Sequence, residues 1–206
     1  MTSDWLSRAL EESRARGFLG PGPLEAQIRH ARAFALIWES HNSAPPLRFL
    51  DLGSGGGLPG LVLLERWGTP GVLLDSMERR TDFLQETLGL AGAPGGALVW
   101  RGRAEVVSRE ERADHIFDLI TSRSFGPPAV TAECAVRFAA VGGLIIVSEP
   151  PERGERWPAE GLRKLNLVSM GIEVADGFGF RVLRKVDATP ETFPRPVGRP
   201  AKSPLF

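Results

Sequence analysis

Cysteine is almost absent: Cys134 stands alone in 206 residues. A disulfide framework is thereby excluded, and a reducing, cytosolic setting fits. An excess of charge of either sign is missing too. Lys and Arg number 25, Asp and Glu number 25, and the formal net charge is zero. No global attraction to nucleic acid follows, so any such binding has to come from a local patch. The opening stretch MTSDWLSRALEESRARG has no apolar core segment, which argues against a signal peptide or a membrane span there. A soluble cytoplasmic protein is expected. His30 and His41 lack metal-ligand spacing, so structural roles are expected for both and no metal site is anticipated. No internal repeat is visible.

What is present is organised around Leu47 to Gly60, LRFLDLGSGGGLPG. The apolar run from Leu47 to Leu52, with Pro45 and Pro46 before it and glycine after it, has the length and flanks of a short buried parallel strand. Gly53, Gly55, Gly56 and Gly57 then let a ligand approach the backbone without meeting a Cβ. Leu61, Val62, Leu64 and Trp67 continue as a helix, and Pro59 suits its first turn. Together these make the nucleotide-cofactor crevice of an open α/β sheet. The acid at the turn selects the cofactor. Pyrophosphate on a helix N-terminus disfavours a nearby carboxylate, whereas Asp51 suits a ligand carrying an ammonium and a sulfonium, which is S-adenosylmethionine. The next strand, from Gly71 to Ser76, ends in Asp75, placed to accept hydrogen bonds from a ribose diol. Dinucleotide and S-adenosylmethionine sites share that second acid.

Upstream, Ser3 and Asp4 can cap a helix carrying Trp5, Leu6, Ala9 and Leu10 at helical spacing. A second helix is predicted from Leu24 to about Glu39, with Ile28, Ala31, Ala35, Leu36 and Trp38 on its apolar side. Downstream, a helix from Glu78 to Leu90 leads to a strand from Ala97 to Arg101. Ala104 and Glu105 follow at the crevice rim, where an adenine would rest; Glu105 reads equally well as an exposed acid at a helix start. A fourth strand, Phe117 to Ser122, puts Arg123 at its carboxyl end, the reaction side of such sheets. A helix from Ala129 to Ala140 holds Cys134 as a core thiol. Gly142 and Gly143 turn into a fifth strand, Leu144 to Val147, and Pro150 to Pro158 reads as a loop over the crevice. An amphipathic segment from Leu162 to Val168 precedes two strands, Ile172 to Val174 and Phe178 to Val186, arranged as an antiparallel hairpin. The tail ATPETFPRPVGRPAKSPLF is too rich in proline for a helix or a central strand. Arg195, Arg199 and Lys202 make it basic, with Arg181, Arg184 and Lys185 just upstream, so it reads as a disordered end or as a strap presenting positive charge to RNA phosphate. The division expected is an N-terminal helical extension (1–44), a cofactor-binding domain (45–187) and the tail (188–206).

Five blocks occur in order: DLGSGGGLPG at 51–60, LLDSMERRTDFL at 73–84, GRAEV at 102–106, FDLITSRSF at 117–125 and FPRPVGRPAKSPL at 193–205. With them the sequence resembles the bacterial 16S ribosomal RNA guanine-N7 methyltransferases, also called glucose-inhibited division protein B. The resemblance implies an α/β, Rossmann-like seven-stranded class I S-adenosylmethionine-dependent methyltransferase fold with N-terminal helices. It also implies S-adenosyl-L-methionine as cofactor and 16S ribosomal RNA or the 30S subunit as partner; a monomer acting without a metal is expected. Position by position, Gly53, Leu58, Asp75, Ala104 and Glu105 match its cofactor contacts. Asp51, Gly55 and Gly57 are added from the turn itself, and Arg123 matches an arginine near both cofactor and acceptor base. Two departures stand out. Arg29 and His30 of an Arg-His-x-x-Asp-Ser element are present, but Ala33 and Phe34 replace its acid and serine. The family's Lys-Gly after strand five is Glu149-Pro150, a reversal of charge at the mouth of the site.

Guanine N7 offers an in-plane lone pair and no proton, so methyl transfer to it needs positioning and exclusion of water rather than a general base. In agreement, no Asn/Asp-Pro-Pro-aromatic motif follows strand four and no cysteine is placed to attack a pyrimidine. Arg123 is then the catalytic candidate, orienting the acceptor base or a phosphate through its planar fork of donors. Rival expectations are a methyltransferase acting on a small molecule or another RNA, favoured by the zero net charge and Glu149; a noncatalytic S-adenosylmethionine binder; and a nicotinamide oxidoreductase, disfavoured by Asp51.

Overall fold

The computed structural model describes residues 2–150 and 155–206. Two helices come first, α1 over Asp4–Ala15 and α2 over Leu24–His41. Strands and helices then alternate: β1 (Phe49–Leu52), α3 (Gly60–Trp67), β2 (Gly71–Asp75), α4 (Glu78–Leu88), β3 (Leu98–Arg101), α5 (Ala104–Val107), β4 (Phe117–Ser122), α6 (Pro128–Val136), β5 (Ala139–Glu149) and α7 (Ala159–Arg163). The chain ends with β6 (Leu167–Ala175), β7 (Phe178–Lys185) and a last short helix, α8 (Arg199–Lys202).

The strands form one seven-stranded sheet in the order β3-β2-β1-β4-β5-β7-β6. All neighbours from β3 to β5 are parallel, and β7 enters antiparallel between β5 and β6. Because parallel strands are covered on both faces, they are apolar throughout rather than alternating; β1 is buried at every residue. Its alternation shows instead in which core each side chain joins. Phe49 packs under α1, α2 and α3, with Leu61, Leu64 and Phe34. Leu50 and Leu52 enter the opposite core with Val107, Ala132 and Phe138. Asp51 shares the Phe49 face by the same two-residue period, and therefore points at α3.

Several expectations change. The first strand begins at Phe49, leaving Leu47 80% exposed. Ser3 does not cap α1 through its side chain; its N–H and Oγ both donate to Glu65 and tie α1 to α3. Leu36 faces outward, whereas Ala33 and Phe34 are buried against the sheet. The helix anticipated to Ala140 stops at Val136, and β5 starts at Ala139, with Gly142 (φ +88°) and Gly143 as an irregularity inside it rather than a turn before it. Its pairing with β4 slips between Phe117 and Leu119, an irregularity that accommodates this early start. The segment expected as one amphipathic element from Leu162 to Val168 is divided between α7 and β6. Residues 151–154 of the expected crevice loop lie outside the described residues.

The tail departs most. It is packed, and it contains α8. Arg109 donates to the carbonyls of Glu191 and Pro194 at 3.0 and 2.8 Å, and Phe206 lies against Gly161. Its prolines rule out a long helix, but Pro200 sits in the first turn of α8, where its missing N–H costs nothing.

Candidate active site

The glycine turn is braced from beneath. Asp51, 1% exposed, accepts the Gly60 N–H at 3.0 Å through Oδ2 and the Thr121 hydroxyl at 2.9 Å through Oδ1. Burial pushes its carboxyl up to about 6 against the pull of those donors. The N–H groups of Gly53 and Ser54 both reach the Leu74 carbonyl, at 2.9 and 3.0 Å, which fastens the turn to β2. Asp75 completes the brace: Oδ2 accepts from Gly55 N–H at 2.9 Å and Oδ1 from Met77 N–H at 2.8 Å. Gly53 has φ +75°, and a Cβ there would stand 2.7 Å from the Phe125 ring, so this position requires glycine twice over.

At the carboxyl ends of β1, β2 and β4 these elements enclose a cavity of about 360 Å³. This is the switch point of the sheet, where the chain winds in opposite directions from β1 to β2 and to β4. Gly53, Asp75, Ala104 and Glu105 border it as the sequence anticipates, joined by Phe125 and Val130. Gly55, Gly57, Leu58 and Asp51 do not. Asp51 was expected to face the ligand; because of strand alternation it lies under the turn and acts as its brace. Gly55 serves through its N–H to Asp75. Of the two readings of Glu105, the place at the crevice rim agrees with the structure and the exposed acid does not. Glu105 is 6% exposed, and its Oε1 accepts the N–H of Gly198 in the tail at 3.1 Å. Burial alone would raise its carboxyl, but the N–H groups of Gly198 and of Glu105 itself, together with Arg103, hold it below its ordinary value. The residues present suit S-adenosylmethionine: a carboxylate at the end of β2 for a ribose, a cradle a Cβ would fill at Gly53, and an apolar slot at Ala104, Phe125 and Val130 for a purine. Cys134 also borders the cavity, but it is buried and its thiol is pushed far up by that burial, as befits a core residue.

Arg123 does not border this cavity. It stands half-buried beyond β4, with no hydrogen-bond or ion-pair partner among the described residues, and opens on a second cavity of about 420 Å³. Gln27, His30, Ser148 and Phe178 share that cavity. The His30 ring nitrogen Nε2 lies 3.0 Å from the Ser148 hydroxyl, and the ring packs among Phe34, Phe178 and Phe180. Burial, reinforced by the Arg123 charge, pushes His30 down to about 4, so the imidazole is neutral at pH 7. Gln27, Ser148 and Phe178 carry no motif that points to a site; only the fold brings them beside Arg123. A third cavity of about 410 Å³ between the ends of β4 and β5 shares Phe125 with the first and Ser148 with the second. Glu149 borders it, but its carboxylate is spent on Arg156 at 2.9 Å and on the Trp157 indole N–H at 2.6 Å. The reversal of charge seen in the sequence is therefore neutralised locally.

Of the basic residues expected to face RNA, only some are exposed. Arg199 and Lys202 are exposed on α8. Arg195 is turned inward and grips the wholly buried Glu133, through Nε at 2.8 Å and Nη2 at 2.6 Å, while its own N–H adds a third bond. Arg181 is 5% exposed and donates to Ser169 at 2.8 Å; Lys185 is fully buried and donates to the Ala139 carbonyl and to His115. Arg181 and Lys185 are structural cations because the strand period that aligns them with Leu183 points them into the molecule, and Arg195, outside any strand, is one because the buried Glu133 holds it. Among the described residues no group of His, Cys, Asp and Glu is placed to hold a metal, and no helix is long and apolar enough to cross a membrane.

A seven-stranded sheet with this order, a glycine crevice at its switch point and an acid at the end of β2 define the class I S-adenosylmethionine-dependent methyltransferase fold. A methyltransferase from Geobacter sulfurreducens has the same fold, with a TM-score of 0.63 at 14% identity over 89% of this chain and 91% of that one. The family model for rRNA small subunit methyltransferase G matches residues 28–155. Proteins named ribosomal RNA small subunit methyltransferase G from Symbiobacterium thermophilum and Prochlorococcus marinus are 37% and 34% identical, covering 89% and 84% of this chain and 80% and 76% of theirs. The chain belongs to the rRNA small subunit methyltransferase G family.

Proposed function

We propose that this protein transfers a methyl group from S-adenosylmethionine to N7 of a guanine in 16S ribosomal RNA, acting in the cytoplasm on the small subunit. The observation that carries the reading is the placing of Arg123. A half-buried guanidinium with no partner among the described residues stands at the carboxyl end of β4, next in sequence to Ser124 and Phe125 of the cofactor crevice, and opens on the neighbouring cavity. Desolvating a cation costs stability unless something pairs with it, so such a group is kept for an incoming acceptor.

The chemistry asked of the chain is modest. When bound, S-adenosylmethionine supplies a methyl group on a sulfonium; N7 donates its lone pair to that carbon as the carbon–sulfur bond breaks and its electrons return to sulfur. No proton leaves N7, so no base is needed. His30 and Asp51 are in keeping with this: burial lowers His30 to about 4, which makes it a weak base, and Asp51 lies buried beneath the turn. Asp75 and the glycine turn hold the cofactor end. Arg123 donates to the guanine O6 or to a phosphate, leaving the N7 lone pair free and in line. Arg199 and Lys202 present positive charge to the RNA backbone, which answers the absence of net charge in the whole chain with a local patch. Glu149 gives little support to a small-molecule acceptor, because Arg156 and Trp157 already satisfy it.

The test is labelled methyl transfer to 30S subunits lacking the guanine-N7 mark, with the product mapped by cleavage at 7-methylguanine. Labelling at a guanine N7 is expected, slowed about 100-fold in Arg123→Ala and not restored by Arg123→Lys. Binding of S-adenosylhomocysteine without any labelling of 30S subunits would overturn the assignment.

A further inference from the structure

Glu105 and Ala201 reveal a role for the chain terminus that the sequence does not show. The cofactor cavity is bordered on one side by Ala201, at the third position of α8, 97 residues beyond Ala104 on the facing wall. Three fixtures hold α8 there. Gly198 N–H bonds to Glu105 at 3.1 Å, Arg195 to the wholly buried Glu133, and Leu205 and Phe206 to the core under α6 and α7. Glu105 and Glu133 belong to α5 and α6, the two helices that form the purine slot. The terminus is thus docked on the cofactor pocket itself. On the same turn as Ala201 are Arg199 and Lys202, both exposed.

We propose that residues 195–202 are a wall of the cofactor pocket, closing over the purine end, and that they couple cofactor binding to RNA binding. The second half rests on the proposed rRNA substrate; the first does not. The physical argument is that four residues cannot answer two ligands independently. A nucleotide in the cavity contacts Ala201 and fixes α8, and a phosphate held by Arg199 and Lys202 fixes the same turn from outside. Each ligand then meets a turn whose position the other has already set, so each tightens the other by an equal factor.

Two measurements decide it, both on the full chain with S-adenosylhomocysteine as probe. First, hydrogen exchange is followed in peptides spanning residues 195–206. The amides of Lys202 and Ser203, bonded to the carbonyls of Gly198 and Arg199, are expected to gain protection when S-adenosylhomocysteine is added. Unchanged exchange would overturn the wall. Ala201→Trp gives a second reading: Ala201 is exposed, so the fold tolerates the change, but the indole intrudes on the cavity and affinity falls about tenfold by calorimetry. Unchanged affinity in that variant would also overturn it. Second, the affinity for S-adenosylhomocysteine is measured with and without 30S subunits. A tightening of about fivefold or more is expected; equal affinities with the subunit bound would overturn the coupling. Failure of the subunit to bind at all would count against the rRNA assignment and leave the wall to the first measurement.

Discussion

The glycine turn after β1 and the segment from Arg195 to Lys202 are both irregular, both border one cavity, and are both held by buried carboxylates. They are held in opposite ways. Asp51 and Asp75 grip the turn through main-chain N–H groups 9 and 20 residues away. Glu133 and Glu105 grip the terminus across 62 and 93 residues, one of them through a buried ion pair. The turn is braced mostly from the adjoining β1, α3 and β2, with one bond from Thr121 on β4. The terminus is held wholly by contacts distant in sequence, to α5 and α6, and the ion pair fixes where it docks.

The sharpest way to break this comparison is to remove Arg195. In Arg195→Ala the Glu133 carboxylate, 0% exposed, is left without its cation, and a loss of about 3–5 kcal/mol in unfolding free energy is expected from urea titration. Replacing both partners, Glu133→Leu with Arg195→Met, should return most of that loss, because the penalty lies in an unpaired buried charge more than in the missing attraction. A loss below about 1 kcal/mol in the single variant would mean the terminus is not held by this pair.

Acid should separate the two regions next. The folded pKa of Asp51 is raised from 3.8 to about 6, so its contribution to stability is present below about pH 4 and disappears as pH rises through 6. At 1.36 kcal/mol per unit this is a change of about 3 kcal/mol. Glu105 is lowered from 4.5, so its contribution is present above that value and is lost as pH falls below it. Unfolding free energies measured from pH 3.5 to 7 should therefore lose their decline between pH 4 and 6 in Asp51→Asn. Hydrogen exchange at pH 3.5 should show the terminus loosened while the turn is not.

This contrast also explains what could be read from the sequence. Strand, glycine turn and helix were legible from Phe49 to Trp67 because they adjoin one another in sequence, and apolar runs of the right length marked the individual strands, while their assembly in one seven-stranded sheet came from the resemblance. The position of Arg123 was legible because the carboxyl end of a parallel strand is a fixed place in such a fold. The direction of Asp51 was in the two-residue period of β1, yet an acid beside a glycine turn reads first as a ligand contact. Arg195, Arg181 and Lys185 read as a basic patch because sequence shows charge but not the Glu133, Ser169 or Ala139 that meets it. The neighbours of Arg123, from Gln27 to Phe178, come together only through tertiary packing.

The smallest expected effect compares two glycines, one in each region. A Cβ at Gly60 would stand 2.7 Å from Asp51 Oδ2 and press on Leu73, with the brace of the turn unable to move aside. Gly60→Ala should cost about 2–3 kcal/mol and weaken S-adenosylhomocysteine binding with it. Gly198 has φ +77° but nothing within 4 Å of a Cβ, so Gly198→Ala meets only the left-handed backbone penalty, about 1 kcal/mol. If the two variants proved equally costly in urea titration, the turn would have no rigidity that the terminus lacks. A larger loss at Gly60 places the rigid half of the pocket at the turn and the adjustable half at α8, the arrangement required for a second ligand to act on the first through the chain's end.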